Sequence, residues 1–389
     1  MDTLDTGPLG LAGDIQDELL SAVQGVWRFG ANFIVGWNET EAGIRLVYLP
    51  DHSLPRVAKA HPRVLERQRH IATEEALTTL LAAGCQQVDI ALNAPLPASE
   101  AAAGEVDDLL RRYSATYCPN RAVALYDIVS FSIHSGLEQI ALINALSQSI
   151  VSAAAYCAEL GMPIDASLTT TGDGFYVWNR EEGLAADIAL YAATILALAM
   201  CSGARKDAER DVAPQVKCCF RIGSDVEYFQ SSGTGRGPTG FIVGDVTISL
   251  ARMIAAMVPK QFIIGTFSRE LDEGDADLAR LIGSDVVDTH TFLALTQMEL
   301  VKLIDAPLPG GTIETISNFL TGEKISDQEF AVKKYQVVDK HGVHHRCFNA
   351  RLNIETSEGN MISAGLLDEE LSNFQGEHLA NEDVRVRLR

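Results

Sequence analysis

Two aspartates sit where the neighbouring sequence gives them little reason to be. Asp127 lies inside "LYDIVSF", a run otherwise suited to a buried strand, and Asp173 lies between two glycines in "TTTGDGFYVW". A buried carboxylate without a partner is costly. Gly-Asp-Gly on its own is simply good turn chemistry. The two aspartates, 46 residues apart, reach the same side of one sheet if the first strand neighbours the hairpin that carries the second. Two carboxylates brought together repel, and a divalent cation is the usual resolution. Two metal ions held this way can activate a nucleophile and grip a triphosphate.

The elements that must position them are legible in the hydrophobic pattern. "AVALYDIVSFS" reads as a buried strand, "GLEQIALINALSQSIVSAAAYCAEL" as a long helix and "PIDASLTTTGDGFYVW" as a hairpin. A second long helix follows in "GLAADIALYAATILALAM", then a strand pair in "VKCCFRIGSDVEYF", a helix in "DVTISLARMIAAM" and a strand in "KQFIIGTF". The hairpin makes the sheet mixed. The fold class is therefore α/β (α+β), a ferredoxin-like βαββαβ arrangement and not a doubly wound parallel sheet. Residues 184–200 are apolar enough to suggest a membrane span, but the run is short, holds Asp187 and sits between strands, so it reads as a buried helix.

Three regions follow: an N-terminal α/β accessory region over 1–105, a catalytic-type domain over 118–270, and a C-terminal region over 271–389. The first suggests a helix over 14–26, a hairpin in "ANFIVGWNETEAGIRLVYL" and a helix through "HPRVLERQRHIATEEALTTLLAAG". Small residues and prolines at 93–105 mark a boundary. After "SRELDEGDADLARLIG" the pattern loosens until "GGTIETISNFLTGEKISD". In the last region "EFAVKKYQVVDKHGVHHRCFNARLNIET" predicts a hairpin turning at 339–342, and the polar end, "EHLANEDVRVRLR", reads as frayed. There are no internal repeats.

The chain of 389 residues has 47% hydrophobic and 21% charged residues, an ordinary globular composition. Its formal charge of −21 argues against binding a nucleic-acid polymer, whose phosphates that field would repel. Seven scattered cysteines without C-x-x-C spacing fit reduced thiols, and the acidic start lacks a signal-peptide pattern. The expectation is a cytoplasmic protein with no membrane partner.

Residues 122–267 resemble the catalytic domain of class III nucleotidyl cyclases. The family's D-I-x-G-F-[ST] strand end is matched by Asp127, Ile128, Val129, Ser130, Phe131 and Ser132, and its [KE]-x-x-G-D hairpin by Thr169 through Asp173. "FRIG" is similar to its R-x-G strand, and "GDVTISLARMIAAMVPKQFIIG" to its G-x-x-V-N-x-A-x-R helix and the strand after it. The resemblance implies that Asp127 and Asp173, with the Ile128 carbonyl, hold two Mn²⁺ or Mg²⁺ ions. It implies that backbone around Ser130, Phe131 and Ser132 faces the phosphates, and that Arg252 stabilises transition-state charge. It also implies a homodimer, each site taking its metal ligands from one subunit and its arginine from the other.

Three positions depart from the family. Its ribose-orienting asparagine falls on Ile248, with Ser249 beside it as a substitute. Its base-reading positions fall on Thr169 and Phe241, neither a purine-type residue. A hydroxyl and a ring suit a different base edge, or simply pack. On this pattern the chain resembles the bacterial pyrimidine cyclases of anti-phage signalling, and "KKYQVVDKHGVHHRCFN" is similar to a sensor-like domain fused to some defence nucleotidyltransferases and cyclases. That resemblance implies a uridylate or cytidylate cyclase, UTP favoured over CTP, feeding a separate cyclic-nucleotide effector. A purine cyclase and a catalytically inactive nucleotide sensor are the alternatives. His341, His344, His345 and Cys347 tempt a zinc reading, but strand alternation sends His344 away from the other strand residues. "SSGTGRGPTG" reads as a loop without the phosphate-binding lysine pattern.

Overall fold

The computed structural model describes residues 11–65, 69–97, 99–204, 213–230, 239–326 and 329–387. The chain divides into two compact units: Met1–Cys118 with Asp225–Val243, and Pro119–Ser224 with Gly244–Arg389.

The first unit begins with α1 (Gly13–Trp27), β1 (Asn32–Thr40), β2 (Gly43–Pro50), α2 (Leu54–Ala60), α3 (Glu74–Ala83), β3 (Gln86–Ala91) and α4 (Glu100–Arg111). Strands β1, β2 and β3 form an antiparallel sheet. Of the helix expected through 61–84, the described residues form a single helical turn over Pro62–Leu65 and α3. Thr73 caps it by accepting from the Ala76 amide, and the Ile71 amide is already committed to the Trp37 carbonyl at 2.7 Å. The run at 93–105 enters α4, capped by Ser99 in the same way. Most of "SSGTGRGPTG" (231–238) lies outside the described residues.

β4 (Ala115–Ile128) leads into the second unit, where α5 (Gly136–Glu159), β5 (Ala166–Thr170), β6 (Gly174–Asn179), α6 (Leu184–Ala204) and β7 (Val216–Gln230) complete a βαββαβ order. β8 (Thr239–Val243) pairs with the far end of β7 in the first unit, and α7 (Asp245–Ala256) and β9 (Phe262–Gly265) return to the second. The strand order β9-β7-β4-β6-β5 is ferredoxin-like at its centre, with β7 and β9 parallel and β4, β6 and β5 antiparallel in turn. The fold is mixed α/β, as the pattern implies. The expected strand pair over 216–229 is instead one continuous 15-residue strand, β7: its buried face switches at Gly223–Ser224, but β9 pairs with its first half and β8 with its second, so the strand runs on.

Helix α6 is the spine of the core. Almost every residue of it is buried, including Tyr191, whose ring meets Phe220 edge-on at 4.9 Å and Phe292 at 5.7 Å. Among the described residues two helices, α5 and α6, are long and apolar enough to cross a membrane by length and composition. α6 is enclosed by protein, 83% of its most apolar window being buried, and Asp187 within it is neutralised by Arg269 at 2.6 Å.

The C-terminal part adds β10 (Ser268–Glu270), α8 (Ala276–Ile282), β11 (Val286–Asp288), α9 (Thr289–Leu300), β12 (Pro307–Leu308) and β13 (Gly311–Leu320). β14 (Gly322–Ser326), β15 (Glu329–Val332), β16 (Lys334–Val338), β17 (His344–Thr356), β18 (Met361–Gly365), β19 (Glu377–His378) and β20 (Val384–Arg387) follow. The hairpin expected around 339–342 is β16–β17, paired from Lys334↔Phe348 to Val338↔His344. β17 also pairs with β9, so the C-terminal strands continue the sheet that carries the aspartates. Of the stretch expected to fray, the described residues are held in place: β20 pairs with β15, and Val384 and Val386 pack against the core.

Candidate active site

Register places the two aspartates together. β4 and β6 are antiparallel, with Asp127 opposite Gly174, and the Ile128 amide donates to the Asp173 carbonyl at 2.9 Å. The approach is possible only because residue 174 is glycine: a Cβ there would stand 1.8 Å from the Tyr126 carbonyl oxygen. The turn before it holds Gly172 at φ +106°, where a glycine avoids strain, and the Thr171 hydroxyl lies 3.4 Å from the Asp173 carboxylate.

Asp127 is half-buried, and Lys217 at the start of β7 approaches its Oδ2 to 2.6 Å. Burial pushes the Asp127 carboxyl above the ordinary aspartate range; Lys217 pulls it back, and neighbouring Asp173 pushes the same way as burial. Lys217 escaped the sequence reading. Its signal was a lone lysine opening an otherwise apolar strand, "VKCCF".

Two carboxylate oxygens and an adjacent backbone carbonyl are hard donors of the kind Mg²⁺ and Mn²⁺ take, the rest coming from water and phosphate oxygens. The ammonium already drawn onto Asp127 shows that the position attracts a cation. On both grounds Asp127, Asp173 and the Ile128 carbonyl fit the metal role. No group of three or more His, Cys, Asp or Glu side chains that could hold a metal ion occurs among the described residues. In the hairpin, His345 and Cys347 are buried, and burial pushes the Cys347 thiol up to about 12, far from a zinc-binding thiolate.

Beyond Asp127 the chain reverses through Ser130 (φ 56°), and Phe131 and Ser132 form a single helical turn before Ser135 caps α5 in a capping box with Glu138. Thr169 sits on β5 opposite Tyr176. Phe241 belongs to the other unit, where its ring stacks on Tyr228 at 5.7 Å.

Helix α7 presents Ile248 outward, 56% exposed, at the position where the cyclase resemblance expects an asparagine. Ser249 turns inward. Its hydroxyl is buried between Arg221 Nη1 at 3.2 Å and His345 Nδ1 at 3.2 Å, so it is engaged within the fold and not presented at the surface. Arg252 is 39% exposed, and its Nε faces Asp339 Oδ2 at 3.7 Å. Asp339 starts the C-terminal hairpin turn, where the amides of Val343 and His341 hold its carboxyl below the usual aspartate range. Sequence reasoning did not join this turn to Arg252; no local pattern signals so distant a pairing.

A cavity of about 880 Å³ in the first unit, between α2 and α3 and lined in part by Arg69, His70 and Thr73, includes none of these residues in its lining.

No protein-family model matches the sequence, and no curated protein matches it. Solved structures similar to it include the guanylyl cyclase Cya2, at 10% identity over 62% of this chain and 94% of that one, TM-score 0.34. The adenylyl cyclase CyaB from P. aeruginosa is similar at 9% identity over 61% and 95%, TM-score 0.34. The guanylate cyclase domain of RhGC from Catenaria anguillulae, in complex with GTP, is similar at 15% identity over 40% and 89%, TM-score 0.30. At these scores the likeness assigns no activity to this chain.

Proposed function

We propose that the chain is a metal-dependent nucleotidyl cyclase that converts a ribonucleoside triphosphate to its 3′,5′-cyclic monophosphate and pyrophosphate. One observation carries the reading: register and a required glycine bring Asp127 and Asp173 together beside the Lys217 ammonium. In this reading the 3′-hydroxyl proton passes to solvent water, the 3′-oxygen bonds to the α-phosphorus, and the bond to the bridging oxygen breaks so that pyrophosphate leaves with that electron pair. Divalent metal, when bound, lowers the pKa of the 3′-hydroxyl and neutralises the phosphates. Asp127 and Asp173 fix where it sits, and the residues around Ser130, Phe131 and Ser132 border the phosphates. Arg252, contributed by the second subunit of a homodimer, meets the charge that develops on them.

The non-purine character of Thr169 and Phe241 supports a pyrimidine substrate, UTP ahead of CTP. With the sensor-like C-terminal hairpin, it supports a second messenger of anti-phage defence acting on a separate effector. A purine cyclase is the alternative within the same chemistry. Exposed Ile248 and enclosed Ser249 favour a second reading, a nucleotide sensor without turnover.

Incubation with Mn²⁺ and all four ribonucleoside triphosphates, followed by mass spectrometry, tests these readings. Cyclic UMP or cyclic CMP supports the first, and a cyclic purine product supports the alternative. Triphosphate binding without product supports the sensor. Asp173→Ala is expected to abolish product while leaving the circular dichroism spectrum unchanged, and normal yield from it would sink the cyclase assignment.

A further inference from the structure

The site has one feature that a pair of metal-binding aspartates does not require. Lys217 Nζ lies 2.6 Å from Asp127 Oδ2, with the two side chains only 18% and 20% exposed. Lys217 is the second residue of β7, and the Val129 amide, just past β4, donates to the Gln215 carbonyl at 2.7 Å. That bond pins the start of β7 against the end of β4, so the lysine stem leaves from a fixed point beside the aspartate. The ammonium is held there by the sheet and is not a surface group that happens to reach in.

Two divalent ions shared between two carboxylates draw on both oxygens of each. Here one of Asp127's two oxygens already carries an ammonium. A second metal ion on that oxygen would stand within a few ångströms of the lysine charge, and the two cations repel. No third acidic or imidazole side chain joins the pair in a metal-holding group among the described residues, so nothing compensates for the oxygen that Lys217 takes.

We propose that Lys217 replaces one of the two metal ions, so that each site binds a single divalent cation through Asp173 and the remaining oxygen of Asp127. The inference rests on the cyclase reading and departs from that family's two-metal pattern. Lys217 acts as a positioning residue, fixing Asp127 and supplying one fixed positive charge.

The test is a count of bound metal. Mn²⁺ is titrated into the full chain, and free Mn²⁺ is followed by electron paramagnetic resonance. The wild type is expected to bind one manganese per chain, Lys217→Arg also one, and Lys217→Met two. Two per wild-type chain overturns the inference, and that count decides even where Lys217→Met does not fold. A folded Lys217→Met chain that binds one manganese also overturns it. If neither the wild type nor either variant binds manganese, the metal-dependent reading itself fails, and the inference with it.

Discussion

Gly174 shows how one atom can fix a site. Its missing Cβ lets β6 close onto the Tyr126 carbonyl and so sets Asp173 beside Asp127. Gly174→Ala is expected to cost roughly 1–3 kcal/mol from overpacking alone, measured by urea unfolding, and to lower manganese affinity by shifting the strand. The aspartates themselves were legible in the sequence because both are out of character with their surroundings. Lys217 was not, since a single lysine in a strand is ordinary until the partner strand is known. Ser249 illustrates the opposite limit: a hydroxyl beside the expected position looked available, yet the helix turns it onto Arg221 and His345. One residue of helical rotation, 100° of azimuth, separates an outward Ile248 from an inward Ser249.

At the scale of elements, the long helices and the hairpin were readable from periodicity. The continuous β7, the short α3 and the paired β20 were missed because tertiary partners decided them. Strand β20 shows the cause: its four residues become a strand only when β15 offers an edge. The C-terminal hairpin reaches the proposed catalytic arginine at this scale. Its turn residue Asp339 faces Arg252, and its carboxyl, held below the usual aspartate range, stays ionised at neutral pH. Asp339→Ala is expected to lower turnover on the order of tenfold, the loss of one charged contact, with KM little changed in steady-state kinetics. Helix α6 supplies a second element-scale prediction. Burial raises the Asp187 carboxyl to about 6 in the folded chain, despite Arg269. Folding therefore takes up a proton between the ordinary aspartate value and that point. This group's contribution to stability falls as pH rises through that window and is level above it. Denaturant midpoints measured across the window check the slope, which Asp187→Asn is expected to remove. Asp187→Ala, which strands Arg269 in the core beside more distant Asp272 and Asp275, is expected to cost on the order of 3 kcal/mol at pH 7.

At the scale of the whole molecule, the proposed dimer makes a prediction that no single chain can. If each site draws aspartates from one subunit and Arg252 from the other, Asp173→Ala and Arg252→Ala chains are each inactive alone. Mixed in equal amounts and allowed to exchange, they are expected to recover about a quarter of wild-type activity, since half the dimers are hybrids with one intact site. No recovery after verified exchange would place the whole site within one chain. On the cyclase reading, the net charge of −21 suits a triphosphate that arrives with its charge neutralised by metal ions.

β7 has a further consequence. It begins with Val216 and Lys217 in one unit and ends in the other, where Val226 and Tyr228 pack against that unit's core and Glu227 pairs with Arg111 at 2.9 Å. The chain thus passes between the units three times, at 118–119, 224–225 and 243–244. A gene trimmed at codon 119 would not release a self-contained enzyme. It would leave β8 and the end of β7 with an apolar face whose cover had been deleted. The molecule is not a cassette with a detachable head, and recombination could exchange its N-terminal part only by taking a stretch from the middle of the reading frame as well.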